Sequence, residues 1–475
     1  MQITSPAFKE NAHRALQNAP LQRALGNLRA GFPGKRAAAI ARMPEFEQLR
    51  DTGRDLKNHI LENLDFYLER FESKVVEQGG KVHWARDGEE ARRLILEICR
   101  AAGAKTITKG KSMVSEEIAL NEFLEANGIQ PIETDLGEYI LQLRNEHPSH
   151  IIAPAIHLNR DQVADAFHAH HGQYGFTRRL EEPRELMNEA RQVLRAKFLA
   201  ADVGLTGANF CVAETGTTII VTNEGNGDLT QTLPRVHIVL ASIEKVVPTL
   251  EDATTFLRLL ARSATGQEFT VYNTFSSGPR RPEDLDGPEE FHVVLLDNGR
   301  SGMIGGEFHD MLRCIRCSAC MNHCPVYGAV GGHAYGWVYP GPMGAVLTPA
   351  LIGIEKAGHL PNATTFCGRC ESVCPVRIPL PKMMRHWRER QFEKHLLPPS
   401  VRFGLGAWAF LAKRPRLYRP FANLSARILR LWGGKSGRIK RLPLAGGWTA
   451  WRDMPAPAGP TFQQQWAARR QGKRS

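Results

Sequence analysis

Two short runs of cysteines constrain this chain more than any other feature of its sequence. Seven of its nine cysteines lie in the runs Cys314-x2-Cys317-x2-Cys320-x3-Cys324-Pro325 and Cys367-x2-Cys370-x3-Cys374-Pro375. Two-residue spacers let successive thiolates hold one iron–sulfur cube, and a three-residue spacer followed by Pro directs the last thiolate to a neighbouring cube. The runs therefore predict two iron–sulfur clusters, of the 4Fe-4S type, in a protein that moves electrons.

The spacing also predicts which cysteines share a cluster, because the last cysteine of each run crosses to the other cluster. The first cluster would take Cys314, Cys317, Cys320 and Cys374, and the second would take Cys324, Cys367 and Cys370. The second set is one ligand short, because Thr364 stands where a further cysteine would complete the run. The open solutions are a three-iron cluster, an iron that is open or bound by oxygen, a ligand from a partner subunit, or a distant histidine. The candidate histidines are His323, His333 and His359.

Zinc and disulfides explain the cysteines less well. A structural zinc site uses four ligands, usually in two CxxC pairs about a dozen or more residues apart, whereas four of these cysteines are closely spaced and both runs end in Cys-Pro. Disulfide frameworks are typical of small secreted domains, and this chain of 475 residues is not small and begins with no visible secretory signal. The remaining thiols, Cys99 and Cys211, are expected to be buried small hydrophobic groups.

Positive charge is concentrated in the C-terminal tail. The net charge of the chain is +12, and residues 385–475 hold 20 Lys and Arg against three acidic residues. The tail also contains Trp408, Trp432, Trp448, Trp451 and Trp466. Such a segment suits an acidic partner subunit or an anionic membrane surface, and we favour the partner. No groove-reading or base-stacking motif supports binding to nucleic acid.

Two observations bear on the compartment. No run approaches the 18 or more apolar residues of a membrane span, and oxygen-sensitive thiolate clusters suit a reducing environment. We therefore expect a cytoplasmic protein that is at most peripheral to the inner membrane.

Hydrophobic periodicity divides the chain into four parts. They are an N-terminal arm with helices over 1–78, an α/β domain over 79–298, an iron–sulfur domain over 299–384 and the basic tail over 385–475. Helices are predicted over 45–78, 88–102 and 115–127, and strands over 81–84, 105–109, 151–153, 209–213, 217–222, 236–241, 268–272 and 291–296. Strands that alternate with helices imply a mostly parallel sheet covered on both faces. The glycine-rich residues 331–349 are expected to form a loop over the clusters.

Three segments resemble one protein family. They are TKGKSMVSEE from Thr108 to Glu117, ETGT from Glu214 to Thr217, and GHAYGWVYPGP from Gly332 to Pro342 between the cysteine runs. With the cysteine spacing, they make the whole chain similar to the LutB/YkgF family of lactate-utilization iron–sulfur proteins. The resemblance implies an α/β domain related to the ribose-phosphate isomerase and CoA-transferase fold, followed by a helical two-cluster ferredoxin. It also implies a complex with a second cysteine-rich subunit and a third α/β-domain subunit, which together convert L-lactate to pyruvate.

The residues themselves favour an electron relay. Oxidation of a 2-hydroxy acid removes two electrons, whereas each cluster carries one, so a two-electron centre such as a flavin must stand between them. No GxGxxG follows a predicted strand, so we assign that centre to a partner and assign no catalytic residue here. The alternatives are the same relay for another 2-hydroxy acid such as glycolate, and an acyl- or CoA-transferring enzyme whose clusters are structural.

A basic turn after the second predicted strand suggests an anion site. Its Gly-Lys-Ser sequence is not a phosphate loop, because residue 105 is Lys where that motif needs its first Gly. Lys109 and Lys111 could still hold a carboxylate or phosphate near the following helix start. The alternative, which we favour, is a solvated basic turn.

Two other motifs have a structural and a functional interpretation. Glu214 stands where a CoA-transferase holds its nucleophile, but Glu-Thr-Gly-Thr also suits a tight turn between strands, which we favour. The histidines His168, His170 and His171 could bind a metal, but a solvated helix face is more common.

Overall fold

The computed structural model describes residues 3–443, 446–449 and 452–471, so Trp451 of the tail lies outside the described residues. The chain divides into two compact units, Met1–Gln391 and Phe392–Ser475. The first unit contains a mixed α/β core and both cysteine runs. The second unit is formed by the tail.

A six-stranded parallel sheet forms the centre of the first unit. The described part of the first unit has ten strands, divided between this sheet and a second one. They are β1 Lys81–Ala85, β2 Thr106–Gly110, β3 Gln130–Glu133, β4 Val203–Gly207, β5 Phe210–Val212, β6 Thr217–Thr222, β7 Val236–Ser242, β8 Val246–Val247, β9 Tyr272–Ser276 and β10 Glu290–Leu296. The parallel sheet has the order β1-β10-β7-β4-β2-β3, and the second has the order β8-β5-β6-β9. All five pairings in the larger sheet are parallel, which confirms the predicted fold class.

The central strands owe their position to continuous apolar sequence. Every residue of β7 is buried, as expected for a strand covered by helices on both faces. The flanking helix Gly88–Ala101 shows how the layers pack. The Asp87 carboxylate accepts hydrogen bonds from the first-turn N–H groups of Glu89 and Glu90, which caps the helix. Its apolar face then buries Ile95 and Cys99 against the sheet.

The helices of the chain surround this sheet and form the iron–sulfur region and the tail. They are α1 Phe8–Gln17, α2 Ala19–Ala41, α3 Phe46–Glu62, α4 Leu64–Glu77, α5 Gly88–Ala101, α6 Met113–Glu117, α7 Leu120–Ala126, α8 Leu136–Arg144, α9 Arg160–His170, α10 Pro183–Leu199, α11 Asn226–Thr232, α12 Leu250–Ala264, α13 Ala319–Asn322, α14 Tyr327–Val330, α15 Gly341–Ile352, α16 Ile354–Ala357, α17 Arg369–Ser372, α18 Leu380–Glu393, α19 Pro399–Ala412, α20 Pro415–Gly433, α21 Gly446–Thr449 and α22 Phe462–Gln471. The helices α13, α14, α16 and α17 have four residues each, and α13 and α17 contain Cys320 and Cys370. This region is therefore built of short helices and close turns around the longer α15.

Several predicted elements differ from the structure. The prediction of a strand over 151–153 is wrong. The His150 ring accepts hydrogen bonds from the backbone N–H groups of Ile152 and Ala153, and these bonds close a turn instead. The strand predicted over 268–272 lies further along the chain, at β9. The helix predicted over 115–127 is broken at Ala119, whose φ of 51° is left-handed.

Two regions without predicted regular structure are helical. The N-terminal arm forms α1 and α2, which pack on the iron–sulfur region; Gln22 of α2 donates to the Ala329 carbonyl at 2.8 Å. The glycine-rich loop predicted over 331–349 contains most of α15. Its glycines serve close packing, since a Cβ on Gly344 would lie 1.6 Å from the Tyr339 carbonyl oxygen.

The second unit consists of helices and one short antiparallel pair, Arg438–Ile439 with Met454–Pro455. Along α20 an exposed apolar stripe recurs at helical spacing, formed by Leu417, Phe421, Leu424, Ile428 and Leu431. Among the residues that the structure describes, no helix has the length and apolar character needed to cross a membrane.

Candidate metal centre

Four of the predicted cysteine ligands surround one small cavity. The first thiol set, Cys314, Cys317, Cys320 and Cys374, lines it together with apolar side chains such as Met311, Ile315 and Leu380. Cys317 and Cys374 are buried, and the other two are partly buried. Four soft sulfur donors around an apolar cavity are the donor set that iron–sulfur cages take, so the residues fit this cofactor.

The other three cysteines form a second thiol set, Cys324, Cys367 and Cys370. Cys370 interacts electrostatically with Cys324 and Cys367, which shows that the three thiols are neighbours. Cys367 is exposed, whereas Cys370 is buried. Cys320 of the first thiol set also interacts with Cys370, so the two sets adjoin.

The two cysteine runs have the same backbone conformation. Arg316, directly before Cys317, is left-handed with φ of 59°, and Phe366, directly before Cys367, is left-handed with φ of 53°. The residue after each of these cysteines is left-handed too, at Ser318 and Gly368, and a four-residue helix follows in both runs. In this repeat Thr364 occupies the position of Cys314. Its hydroxyl accepts the backbone N–H of Phe366 at 3.0 Å.

Burial controls the protonation of the free thiols. Burial raises the pKa of Cys317 and Cys320, and it raises the pKa of Cys370 to about 12. As free groups these thiols are therefore protonated at neutral pH, and iron binding must displace the protons. Backbone N–H groups point at two of the sulfurs: Ile378 donates to Cys374 Sγ at 3.4 Å, and Tyr327 donates to Cys324 Sγ at 3.5 Å. Such donors stabilise negative charge on the sulfur.

Two arginines from the N-terminal helices hold the second cysteine run. Arg50 of α3 donates to the carbonyl of Cys374 at 3.0 Å and to that of Ser372 at 2.8 Å. Arg36 of α2 donates to the Val373 carbonyl at 2.9 Å. Both side chains are buried. They fix the backbone around Cys374 and bring positive charge to the first thiol set.

A buried ion network joins the α/β domain to the first cysteine run. Arg300 is fully buried, and its guanidinium lies 2.7 Å from Glu117 and 3.1 Å from Glu244. The contact to Glu244 is an ion pair without hydrogen-bond geometry. Glu244 also binds Arg316, between Cys314 and Cys317, at 3.1 Å. Burial alone would raise the pKa of Glu244, but Arg300 and Arg316 lower it to about 2. No local sequence pattern indicates this network, because its members are far apart in the chain.

The basic turn does not form the anion site considered from the sequence. Lys109 is buried rather than solvated, and its ammonium binds Glu133 at 2.7 Å and Glu116 at 3.1 Å. Lys111 lies 3.0 Å from both Asp135 and Glu224. Carboxylates of the protein therefore already neutralise both lysines.

Glu214 lies in the turn between β5 and β6, as favoured from the sequence. The side chain is exposed, and it accepts the backbone N–H of Leu250 at the start of α12. This carboxylate is exposed and accepts a hydrogen bond from an N–H group at a helix N-terminus. It is therefore not desolvated as a nucleophilic glutamate would be. The geometry is that of a structural turn.

The histidine cluster of α9 is only partly solvated. His168 and His170 are exposed, but His171 is fully buried, which contradicts a solvated face there. Its ring bonds Tyr139 at 2.9 Å and Glu189 at 2.7 Å. Among the described residues around these histidines, no group of three or more His, Cys, Asp and Glu side chains could hold a metal ion.

The candidate histidine ligands of the second thiol set make contacts to the backbone. His323, His333 and His359 each donate a ring N–H to a carbonyl, those of Ala319, His147 and Ser5 respectively. Each histidine is thereby fixed in orientation. Whether one of them is a ligand stays a prediction.

Comparison with known proteins now adds to the geometry. The LUD domain model matches residues 68–296, and the 4Fe-4S dicluster domain model matches residues 310–378. Lactate utilization protein B of Bacillus licheniformis is 41% identical over 100% of this chain and 99% of its own length. The chain belongs to the lactate utilization protein B family. Another relative, named an uncharacterized electron transport protein, YkgF, of Escherichia coli, is 41% identical over 96% of this chain and 95% of its own.

Membership in the family defines the cofactor class. Both thiol sets lie inside the segment that matches the dicluster domain, so the cofactors of this chain are iron–sulfur clusters of the 4Fe-4S type. The LUD domain coincides with the parallel sheet and its helices. The expected domain order of the family, α/β domain followed by a helical iron–sulfur domain, is therefore confirmed.

Proposed function

We propose that this chain is the iron–sulfur electron-transfer subunit of a complex that oxidises L-lactate to pyruvate. The observation that carries the proposal is the pair of adjoining thiol sets, one of them around a buried cavity. The name of one full-length relative refers to lactate utilization and that of another to electron transport, and both support the proposal. Loss of two electrons and two protons turns lactate into pyruvate, and a 4Fe-4S group carries one electron at a time. The chain therefore receives single electrons from a two-electron centre on a partner and passes them to a downstream acceptor.

We assign the ligands by thiol set. The first thiol set holds one cluster with four sulfurs, and the second holds the other cluster with three. The cavity and the electrostatic grouping of the cysteines support this assignment. It keeps the crossing of the last cysteine of each run to the other cluster, as the spacing predicts.

Thr364 marks the iron that lacks a cysteine. The backbone repeat puts it in the position of Cys314, and its hydroxyl oxygen is the nearest counterpart of a ligand sulfur in sequence. We propose that this iron is bound by oxygen, either from Thr364 or from solvent. The exposure of Cys367 in the same set supports access for solvent.

Charged residues set the electrostatics of the first thiol set. Arg36, Arg50 and Arg316 all lie near its thiols, and Arg36 and Arg50 bind the backbone of the cysteine run. Positive charge favours the more negative, reduced form of a cluster and so raises its reduction potential. We infer that electrons collect on this cluster before they leave the subunit.

Partner subunits complete the proposed reaction. We propose a second cysteine-rich subunit and a third subunit with an α/β domain, in line with the family, and we assign the two-electron centre to one of them. The basic tail docks on an acidic surface of such a partner, because the tail contains 20 Lys and Arg but only three acidic residues. Flotation with anionic liposomes, with and without residues 385–475, distinguishes this from contact with the inner membrane.

The same relay could serve another 2-hydroxy acid such as glycolate, and substrate profiling of the complex distinguishes the two. Acyl transfer is not proposed, because Glu214 is an exposed turn residue.

The test uses the assembled complex under anaerobic conditions. L-lactate is added, and the redox state of the clusters is followed by electron paramagnetic resonance. We expect reduction of the clusters before any added acceptor is reduced. Clusters that stay oxidised while pyruvate forms would rule out the relay.

A further inference from the structure

A pocket lies at the carboxyl edge of the parallel sheet, where β2, β4 and β7 end. Its polar lining includes Lys111, Asp135, Glu138, Asn209, Lys245 and Arg316. The cavity measures about 160 Å³, several times the roughly 30 Å³ that one water molecule takes in the liquid. Ligands of open α/β sheets bind at this edge, because loops and helix starts converge there. We call it the Lys245 pocket.

Lys245 is the unusual member of this lining. Its side chain is nine-tenths buried, with 6% relative exposure. Buried Lys57 donates to the Glu244 carbonyl at 2.6 Å, and buried Lys109 has two carboxylate partners. In the part of the chain that the structure describes, the Lys245 ammonium has neither a hydrogen bond nor an ion pair. An unpaired buried charge is costly, so a counter-ion in the pocket would stabilise the fold.

Among the described residues, Lys245 is the cation of this lining without a direct carboxylate partner. Lys111 is bound by Asp135 and Glu224, and Arg316 is bound by Glu244. Burial raises the pKa of the Glu138 carboxyl in the lining well above its ordinary value, which favours the neutral acid. Burial, and then Arg316, lowers the pKa of Lys245 to about 8, so the ammonium still carries its charge at pH 7. An anion beside the Lys245 ammonium would supply the direct counter-ion that this group lacks.

The remaining lining selects among anions. Asn209 uses its carbonyl oxygen to accept the backbone N–H of Val221, which leaves its amide N–H groups for a ligand oxygen. Ile151, Leu240 and Leu260 give the pocket an apolar side. A carboxylate with a neighbouring oxygen and a short apolar group uses all three features, whereas inorganic phosphate has no apolar part.

We propose that the Lys245 pocket binds a small organic acid of the 2-hydroxy or 2-oxo class, with the Lys245 ammonium as counter-ion of its carboxylate. The choice of acid rests on the proposed function, since lactate and pyruvate belong to this class. Asn209 donates to the oxygen at the second carbon, and the apolar side takes the remaining carbon.

The pocket adjoins the first thiol set. Arg316 and Ile151 line both the Lys245 pocket and the thiol cavity. Cys314 also interacts electrostatically with Lys245. A bound acid would therefore place negative charge next to the first cluster and would respond to its redox state.

Isothermal titration of the anaerobically purified full chain tests the proposal. Pyruvate and L-lactate are titrated at pH 7, with lactamide, the uncharged amide of lactate, and inorganic phosphate as comparison ligands. We expect binding of one acid per chain and none of lactamide. Lys245→Met should weaken binding about tenfold or more, because a charge-assisted hydrogen bond is lost. Lys81→Met, at an exposed lysine on β1, should leave the affinity unchanged.

The outcomes separate the pocket from the relay. Equal binding of lactamide, tighter binding of phosphate than of pyruvate, or unchanged affinity in Lys245→Met would each overturn the proposal. The first two comparisons use the wild-type chain, so they hold even if Lys245→Met does not fold. If the acid does not bind, but lactate reduces the clusters of the chain in the assembled complex, only the proposal for the Lys245 pocket is refuted. If the acid binds, but the clusters stay oxidised while the complex forms pyruvate, only the proposed electron relay is refuted.

Discussion

Replacement of Arg300 by Met removes the central cation of the buried network. Arg300 and Glu117 have no exposed side-chain surface, and that of Glu244 is 2% exposed. Loss of one partner of a buried ion pair typically costs about 3–5 kcal/mol, because the other charge stays buried without compensation. Two carboxylates lose a partner here, although Asn298 and Tyr339 still bind Glu117 and Arg316 still binds Glu244. We therefore expect a loss of about 4–5 kcal/mol, a large share of the roughly 5–15 kcal/mol that stabilises a domain.

Urea unfolding under argon measures this loss as a shift of the unfolding midpoint, followed by tryptophan fluorescence. The matched control is Arg42→Met, which breaks an exposed pair with Glu268 whose side chains are 58% and 61% exposed. Exposed pairs contribute about 0–1 kcal/mol, so this midpoint should hardly move. Adding Glu117→Gln to Arg300→Met removes one stranded charge and should recover part of the loss. An Arg300→Met midpoint as close to wild type as that of the control would refute the energetic role of the network.

Three further predictions concern the thiol sets and the pH response. Cys374→Ser should lose the signal of one cluster and keep the other, whereas Cys99→Ser, at a buried thiol outside both sets, should keep both; paramagnetic resonance and iron analysis check this. Thr364→Cys should replace the proposed oxygen ligand by a thiolate and change the paramagnetic resonance spectrum of the second cluster, and an unchanged spectrum would argue against residue 364 as the missing ligand position. Burial lowers the pKa of His150 to about 4 and of His237 to about 3, so the unfolded chain takes up protons first below pH 6.5. The free energy of unfolding should then fall by about 3 kcal/mol between pH 7.5 and 5.5 in urea titrations, and a flat profile would contradict neutral buried rings.

The features that sequence predicted well are those encoded locally. Cysteine spacing determines which thiols can approach one another; the first thiol set lines one cavity, and its role as a ligand set stays a prediction. Apolar runs such as Val236–Ser242 predicted the central strands, because a strand buried on both faces needs no other signal. The turn at Glu214 was predicted from turn chemistry alone.

The features that sequence missed depend on contacts between distant segments. Strand Val203–Gly207 has two glycines and no alternation, yet Gly204 is needed there, because a Cβ would meet the Thr230 carbonyl oxygen at 1.8 Å. Arg300 and Glu117 are separated by 183 residues, so no local pattern indicates their pairing. Lys245 likewise has no distinguishing local sequence pattern. It differs from other lysines in combining burial with the absence of a partner for its ammonium in the described part of the chain. Packing, rather than propensity, decides each of these cases.

The most direct test of the central claim is iron and sulfide analysis of anaerobically purified protein, combined with paramagnetic resonance during a redox titration. We expect roughly seven to eight iron atoms per chain with matching sulfide, and two centres that cycle reversibly. Colourless protein, or protein that contains zinc in place of iron, would contradict that claim.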